Sequence, residues 1–178
     1  MKILDLGSGE HPYMEDNADV VHVDNIYLSH VDLVFDVTKN PLPFKDSEFD
    51  KVVMFNFLEH LSPNEMVTVL KEVYRVVRLG GKVIISVPYH SSGNASGDPL
   101  HISQFSIQTL KFFDYDKSSE HPWHFAGFKF SLVSWQLSFH PWWLRWMEWV
   151  VKKRPGFYEY HLCYVIQPAD LRFELEKV

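Results

Sequence analysis

The hydrophobic pattern of the chain begins with a short apolar run that breaks into a glycine turn. Residues 2–9 read Lys-Ile-Leu-Asp-Leu-Gly-Ser-Gly, and an apolar run that ends in this way predicts a buried strand. Gly7 and Gly9 permit positive φ angles or the close approach of a ligand to the backbone. Open α/β sheets bind nucleotides at the carboxyl ends of such strands.

Further apolar segments predict the rest of a sheet. Runs of β-branched and apolar residues indicate strands over residues 20–24, 31–37, 49–55 and 82–88. Later in the chain, alternating apolar and polar positions predict a sixth strand over 128–137 and a seventh over 170–177.

Helices are predicted between these strands. Ser62, Pro63 and Glu65 have the spacing of an N-cap, a first-turn proline and a capping-box partner, and the amphipathic helix that they begin should end at Gly80-Gly81. A shorter helix is predicted over 106–113, after a loop at 90–99 that is long enough to form a lid. Residues 10–13 should open a short helix or a loop.

This order of strands and helices defines a fold class. Alternating strands and helices predict one α/β domain over residues 1–178, with a parallel sheet, helices on both faces and a ligand at the carboxyl ends of the strands.

Composition excludes several functions. With a formal charge of -6 and a pI near 5.9, the chain has no basic footprint for nucleic acid. Cys163 is the only cysteine, which excludes an intramolecular disulfide and is consistent with a cytoplasmic location. The sequence predicts neither a secretory signal nor a membrane span.

Acids at the ends of two predicted strands are candidate nucleotide ligands. Asp24 follows the first strand by about twenty residues, the separation at which a carboxylate binds ribose hydroxyls. Asp36 could accept a hydrogen bond from the adenine amine, with the Val37 backbone pairing to a ring nitrogen. The alternatives are a solvated turn residue for Asp24 and a turn cap for Asp36. Pro12 stands where a dinucleotide fingerprint needs its third glycine, which disfavours a pyrophosphate ligand.

These motifs in this order resemble the class I S-adenosylmethionine-dependent methyltransferases. The resemblance covers residues 1 to 90 and rests on Leu-Asp-Leu-Gly-Ser-Gly at 4–9, Asp36-Val-Thr-Lys-Asn-Pro-Leu-Pro-Phe, Leu58-Glu-His-Leu, and the run from Leu70 to Pro88. It implies a Rossmann-like, mostly parallel seven-stranded sheet whose last strand is antiparallel. Residues 1–90 would form the cofactor half and 91–178 the acceptor half, with an aromatic-rich insert over 138–168.

The resemblance also assigns the cofactor site. S-adenosylmethionine would contact Asp5, Gly7 and Gly9 through its methionine and sulfonium, Asp24 through ribose, Asp36 and Val37 through adenine, and Asn56, Phe57 and Leu58 along the near wall. The chain departs from many relatives at His11, where a further glycine is common, and it begins at the first strand without the upstream helix that often covers the cofactor.

Two histidines are candidate catalytic bases. His60 follows the fourth strand, and relatives place the histidine of an Asp-Pro-x-His segment, here His101, over the cofactor. Imidazole titrates near neutrality and could remove a proton from the acceptor; the alternative for each is a structural hydrogen bond. His121, His124 and His140 match no metal-ligand spacing, so no metal is predicted.

A tryptophan-rich segment between the last two strands has three interpretations. Trp142, Trp146, Trp149 and Val150 share one face of a predicted helix, opposite Arg145, Glu148 and Lys152. The stripe could pack onto the core or across a homodimer, line an acceptor pocket, or contact a membrane surface peripherally through 142–154.

The expected function is methyl transfer to a small-molecule or metabolite-linked acceptor. The competing hypotheses are a noncatalytic cofactor-binding or partner subunit on the same fold and a nicotinamide oxidoreductase, which Pro12 disfavours.

Overall fold

A computed structural model describes residues 1–114, 128–140 and 142–178, with the main chain alone for Trp142. His121, His124 and the Trp142 side chain therefore lie outside the described part of the protein.

Seven strands form one mixed sheet, and this confirms the predicted fold class. They lie in the order β3-β2-β1-β4-β5-β7-β6; β7 is antiparallel to both of its neighbours, and β1 to β5 pair in parallel. The strands are β1 (Lys2–Leu6), β2 (Asp19–Asp24), β3 (Leu33–Val34), β4 (Phe49–Phe55), β5 (Val77–Pro88), β6 (Phe130–Ser138) and β7 (Asp170–Lys177).

Five α-helices are found among the described residues. They are α1 (Pro63–Val76), α2 (Gly93–Gly97), α3 (Leu110–Phe113), α4 (Trp146–Lys153) and α5 (Pro155–His161), and short 3₁₀ turns cover Leu58–His60 and Trp142–Leu144. None of the described helices combines the length and the apolar character that crossing a membrane would need.

The two faces of the sheet are covered differently. Alternate residues of the central strands, such as Leu4 and Val52, face a large core that also contains buried residues of α1, α3, α4 and α5. The opposite face has a small cluster of Ile3, Val53 and Ile84, against which Tyr13 packs. Residues 10–13 form the loop that was one of the two expectations for this segment, so no helix separates β1 from β2. Among the described residues, the buried residues of α1, α3, α4 and α5 in these clusters belong to the large core, and the small cluster contains none from a helix.

Helix α1 begins where the sequence predicts and ends earlier. The Ser62 hydroxyl accepts from the Glu65 N–H, and the Glu65 carboxylate accepts from the Ser62 N–H at 2.9 Å, which completes the predicted capping box. The helix ends at Val76, so the prediction that Gly80-Gly81 ends it is wrong. Both glycines lie within β5, where the pairing with β4 shifts register between Phe49 and Lys51 and Gly80 has a φ of 69°.

Four other predicted elements differ in length or content. The third strand is limited to Leu33–Val34, because Asp36 turns the chain by accepting hydrogen bonds from the Thr38 N–H and hydroxyl. The helix predicted over 106–113 is regular only from Leu110, and the loop predicted at 90–99 contains α2. The sixth strand begins two residues later and ends one residue later than predicted.

Trp146 and Trp149, the two tryptophans of the stripe whose side chains are described, do not pack onto the core of this chain. Helix α4 buries Met147 and Val151, whereas Trp146 and Trp149 are 59% and 63% exposed. The Nζ atom of Lys153 lies 4.0 Å from the centre of the Trp149 ring. Of the three interpretations, packing onto the core is therefore wrong for these two side chains. The side chains that face inward are Met147, one position after Trp146, and Val151, two positions after Trp149.

Candidate functional site

A cavity of about 690 Å³ opens at the carboxyl ends of β1, β2 and β4. Because these strands are parallel, the turns that follow them meet at one edge of the sheet, as the sequence predicts. Of the nine predicted cofactor contacts, seven line this cavity: Gly7, Gly9, Asp24, Asp36, Val37, Asn56 and Phe57.

The glycine turn after β1 forms the floor of the cavity. Gly7 and Gly9 have φ angles of 76° and 51°, in the left-handed region that favours glycine. A Cβ atom on Gly7 would lie 2.5 Å from Cδ2 of Phe57. The Gly7 N–H donates to the Val23 carbonyl at 2.8 Å, which ties the turn to β2. Gly7 is therefore required both for the backbone conformation and for the close approach of the Phe57 ring.

Asp24 joins the end of β2 to the glycine turn. One of its carboxylate oxygens accepts from the Gly9 N–H at 2.8 Å, and the other accepts from the Ile26 N–H at 3.0 Å. Each oxygen keeps a second lone pair for a ligand. Asp24 is thus a structural turn residue, and it also lines the cavity.

Asp36 likewise combines a turn cap with a position on the cavity wall. Hydrogen bonds from Lys39 and from Thr38 hold the pKa of the Asp36 carboxyl below its usual range, so the group is ionised at neutral pH. The alternative of a turn cap is therefore observed, and the carboxylate also lies beside Val37 on the wall.

Asp5 and Leu58 do not line the cavity. An oxygen of the buried Asp5 carboxylate accepts from the Tyr13 N–H at 2.8 Å and lies 2.9 Å from Nδ1 of His22, beneath the glycine turn. Leu58 is fully buried in the large core. Their predicted contacts with the cofactor stay predictions, and in this structure both support the residues that line the cavity.

Apolar residues supply much of the part of the wall that was not predicted from the sequence. Ile26, Leu28, Phe35 and Ile102 all line the cavity. Ile26 and Phe35 follow directly after β2 and β3, at the same edge as the predicted acids. Apolar residues in the few positions after each parallel strand were the signal that could have identified them. Together with Asp24 and Asp36, these walls fit an adenosine group, which has a flat apolar base and polar ribose hydroxyls.

The two predicted bases lie side by side at the far end of the cavity. The imidazole rings of His60 and His101 are 4.9 Å apart, edge to face. His60 lines the cavity, whereas His101 is set behind the wall, with Nδ1 3.2 Å from the Ala95 carbonyl oxygen. The structure thus brings together two histidines from separate segments of the chain.

A buried carboxylate next to these histidines was not predicted from the sequence. Glu59 is 1% exposed, and neither of its carboxylate oxygens accepts a hydrogen bond from another described residue. Burial raises the pKa of the Glu59 carboxyl to about 7; Asp170 and Asp98 add to the rise, and the main-chain N–H of Glu59 opposes it. A glutamate within the apolar Leu58-Glu-His-Leu run was the signal for this group.

Comparison with known proteins gives the family of the domain. Residues 4–85 match the family model described as a methyltransferase domain. This range contains the glycine turn, Asp24, Asp36 and the segment from Asn56 to His60. No curated protein matches the sequence.

Solved structures with the same fold cover nearly the whole chain at low identity. A SAM-dependent methyltransferase from Archaeoglobus fulgidus is 18% identical with a TM-score of 0.61, and the match covers 99% of this chain and 86% of that one. The 1,6-didemethyltoxoflavin-N1-methyltransferase of Burkholderia thailandensis, solved with its substrate and S-adenosylhomocysteine, is 16% identical with a TM-score of 0.61, covering 99% and 71%.

A third similar structure is a complex. The Haloferax volcanii Trm112 methyltransferase activator is bound there to a protein thought to be a methyltransferase; the match is 14% identical with a TM-score of 0.59 and covers 99% of this chain and 82% of that one. The strand order, the cavity at the carboxyl edge and the family model over residues 4–85 together make this chain similar to the class I S-adenosylmethionine-dependent methyltransferases.

Proposed function

We propose that this methyltransferase transfers the methyl group of S-adenosylmethionine to a small-molecule or metabolite-linked acceptor. The proposal rests on one observation: the glycine turn, the strand-end acids Asp24 and Asp36, and His60 all line the same cavity. A net charge of -6 argues against a nucleic-acid acceptor. The similar enzyme from Burkholderia thailandensis is named for a small-molecule acceptor. The lone, buried Cys163 accords with a cytoplasmic location.

The cofactor assignments follow the chemistry of each wall. Asp24 would accept hydrogen bonds from the ribose hydroxyls, since each of its oxygens retains a lone pair. Asp36 would accept from the adenine amine beside the Val37 backbone. The methionine end would then lie over Gly7 and Gly9, with the sulfonium directed toward Asn56 and His60.

The protein's main task in this reaction is alignment. The acceptor nucleophile forms a bond to the methyl carbon as the carbon–sulfur bond breaks, and the bonding electrons neutralise the sulfonium. An acceptor that keeps its proton must lose it to a base. His60 is the candidate for that role because it lines the cavity, and His101 is the second candidate directly behind it.

Product formation tests this proposal. S-adenosylhomocysteine would be measured with a panel of oxygen, nitrogen and sulfur acceptors, first with the unaltered protein and then with His60→Gln. We expect turnover of at least one acceptor, and a loss of about 10²-fold or more in His60→Gln if the acceptor must be deprotonated. Affinity for S-adenosylmethionine should not change. His161→Gln, on the exposed surface of α5, is the matched control.

A partner subunit is the second candidate function. It is favoured by the similarity to the Haloferax volcanii complex, in which a fold of this kind is bound to an activator. Tight binding of S-adenosylmethionine with no methyl consumption across the acceptor panel would support this function and contradict catalysis by the isolated chain.

A further inference from the structure

Three metal-binding side chains converge beside the cavity. Glu59, His60 and His101 each offer one ligand atom, and these atoms lie within 4.8 Å of one another. Two of the residues are neighbours in the 3₁₀ turn after β4, and the third comes from the loop after α2. The cluster therefore exists only in the folded protein.

Both imidazoles are oriented by main-chain carbonyl groups. Nδ1 of His101 lies 3.2 Å from the Ala95 oxygen, and Nδ1 of His60 lies 3.4 Å from the Leu100 oxygen. A carbonyl oxygen can only accept, so these contacts favour a proton on each Nδ1 and a lone pair on each Nε2. Nε2 of His101 also lies 3.7 Å from a carboxylate oxygen of Asp98. Ligand histidines in metalloproteins are commonly fixed in this way by a carbonyl group behind the ring.

The carboxylate of Glu59 is buried without a hydrogen-bond donor from another described residue. It is 1% exposed and accepts nothing from another described residue, although an isolated buried carboxylate is costly. The Glu59 main chain is firmly held, because its carbonyl oxygen accepts from the N–H groups of Ile102 at 2.8 Å and Ser103 at 2.9 Å. These bonds also hold the segment that carries His101 against the turn that carries Glu59 and His60.

The donor set indicates the type of ion. Two imidazoles and one carboxylate are typical ligands for zinc and neighbouring divalent transition metals. With metal–ligand bonds of about 2.1 Å, tetrahedral ligands are about 3.4 Å apart. From their present limit of 4.8 Å, the three atoms would need to approach one another by up to about 1.4 Å, which requires rotation of the side chains.

We propose that Glu59, His60 and His101 bind a divalent transition-metal ion, with Zn²⁺ as the reference ion, beside the cofactor cavity. This reverses the sequence-based prediction that no metal is bound. The fourth coordination position is left open by the three protein ligands, and His60 places the ion next to the space for the acceptor. A metal-bound acceptor oxygen or sulfur would lose its proton more readily. With the ion present, His60 would act as a ligand instead of a base.

Metal binding can be measured without cofactor or acceptor, so its failure would leave the proposed methyl transfer intact. The full chain would be stripped of metal with a chelator and titrated with Zn²⁺ against a chromophoric competitor. We expect one tight site per chain. Glu59→Gln and His101→Gln should each weaken it by tenfold or more, whereas His161→Gln should bind as the unaltered protein does.

Co²⁺ gives a second readout that depends on the ligands. Co²⁺ bound to two imidazoles and a carboxylate should give visible absorption that both ligand variants lose and the His161→Gln variant keeps. The ligand variants differ in what they remove, so His101→Gln still tests the site if Glu59→Gln does not fold. The absence of a stoichiometric site, or equal Zn²⁺ affinity in His101→Gln and the unaltered protein, would overturn the proposal.

Discussion

The cavity edge and the surface of α4 both contain large apolar side chains. At the cavity edge these side chains pack against the core, whereas on α4 they point into solvent. At the cavity edge, Phe35 and Phe57 are partly buried against the core and line the cavity. On α4, Trp146 and Trp149 face outward while Met147 and Val151 are buried. Strand ends fix the direction of the residues that follow them, whereas a short helix can rotate to bury whichever stripe fits the core. The type of residue alone therefore does not indicate which face is inside.

The largest difference is expected when one buried and one exposed side chain of α4 are truncated. Met147→Ala should lower the free energy of unfolding by about 2–5 kcal/mol, since it leaves a cavity in the core. Trp149→Ala, two residues away, should change it by less than about 1 kcal/mol, because most of its side chain lies in solvent and its main interaction is the exposed contact with Lys153. Denaturant unfolding measures both. Equal losses would contradict the assigned orientation of α4.

The glycine turn should tolerate less change than its small size suggests. In Gly7→Ala, the new Cβ would approach Phe57 at 2.5 Å, and the φ of 76° would be strained. We expect a loss of about 1–3 kcal/mol in unfolding free energy and at least tenfold weaker binding of S-adenosylmethionine. Gly97→Ala is the control, since a Cβ there meets nothing within 4 Å. Unaltered binding by Gly7→Ala would mean that this turn does not form the floor of the cofactor site.

The exposed Trp146 and Trp149 lie beside basic residues, and we propose an anionic lipid surface as their partner. Lys152 and Lys153 at the end of α4 are exposed next to Trp149. Vesicles containing phosphatidylserine should bind the protein, and the double substitution Trp146→Ser with Trp149→Ser should weaken that binding by about tenfold, or about 1.4 kcal/mol. Neutral phosphatidylcholine vesicles are the control.

Two results would contradict lipid binding. One is equal sedimentation of the protein with both kinds of vesicle, and the other is a stable dimer in solution that the double substitution dissociates. The dimer would instead identify a second copy of the chain as the partner of the stripe.

A smaller effect is expected at the polar clamp that holds the loop after β3. Arg75 donates to the carbonyl oxygens of Leu42 and Phe44 at 2.9 and 2.7 Å, and Glu72 accepts from the Leu42 N–H at 2.8 Å. The hydrogen bond from Arg75 lowers the pKa of the Glu72 carboxyl below its ordinary value.

The sign of this shift determines its pH dependence. Because the folded pKa is the lower one, the stabilisation is complete above the unfolded pKa of Glu72 and is lost as the pH falls through the folded pKa. Glu72→Gln should therefore cost about 1 kcal/mol at pH 7 and progressively less below about pH 4.5. Unfolding curves at several pH values measure the difference between the two proteins. A constant difference across this range would contradict the clamp's dependence on charge.

Much of the cofactor end could be predicted because local chemistry determines it. Gly7, the Ser62 capping box and the acids that follow β2 and β3 depend on backbone conformation and short-range hydrogen bonds, which sequence patterns express directly. The end of α1 could not be placed, because tertiary pairing with Phe49 takes Val77 into β5 before the glycines are reached.

The environment of Glu59 and the orientation of the tryptophan stripe could not be predicted to the same degree. The apolar neighbours of Glu59 are a weak signal in the sequence, because its burial also depends on the main-chain hydrogen bonds that it accepts from Ile102 and Ser103, more than forty positions away. The direction of the tryptophan stripe likewise depends on long-range packing of Met147 and Val151. Both features depend on contacts between distant segments, for which periodicity carries no signal.

The most direct test of the whole account is a calorimetric titration of S-adenosylmethionine into the unaltered chain, Asp24→Ala and Asp19→Ala. Asp19 lies at the opposite end of β2 and is exposed, so it controls for the loss of a carboxylate from the same strand. We expect one site in the unaltered chain, more than tenfold weaker binding in Asp24→Ala because ribose hydroxyls lose their acceptor, and no change in Asp19→Ala. A folded protein that gives no heat, or an Asp24→Ala variant that binds as tightly as the unaltered chain, would contradict the account.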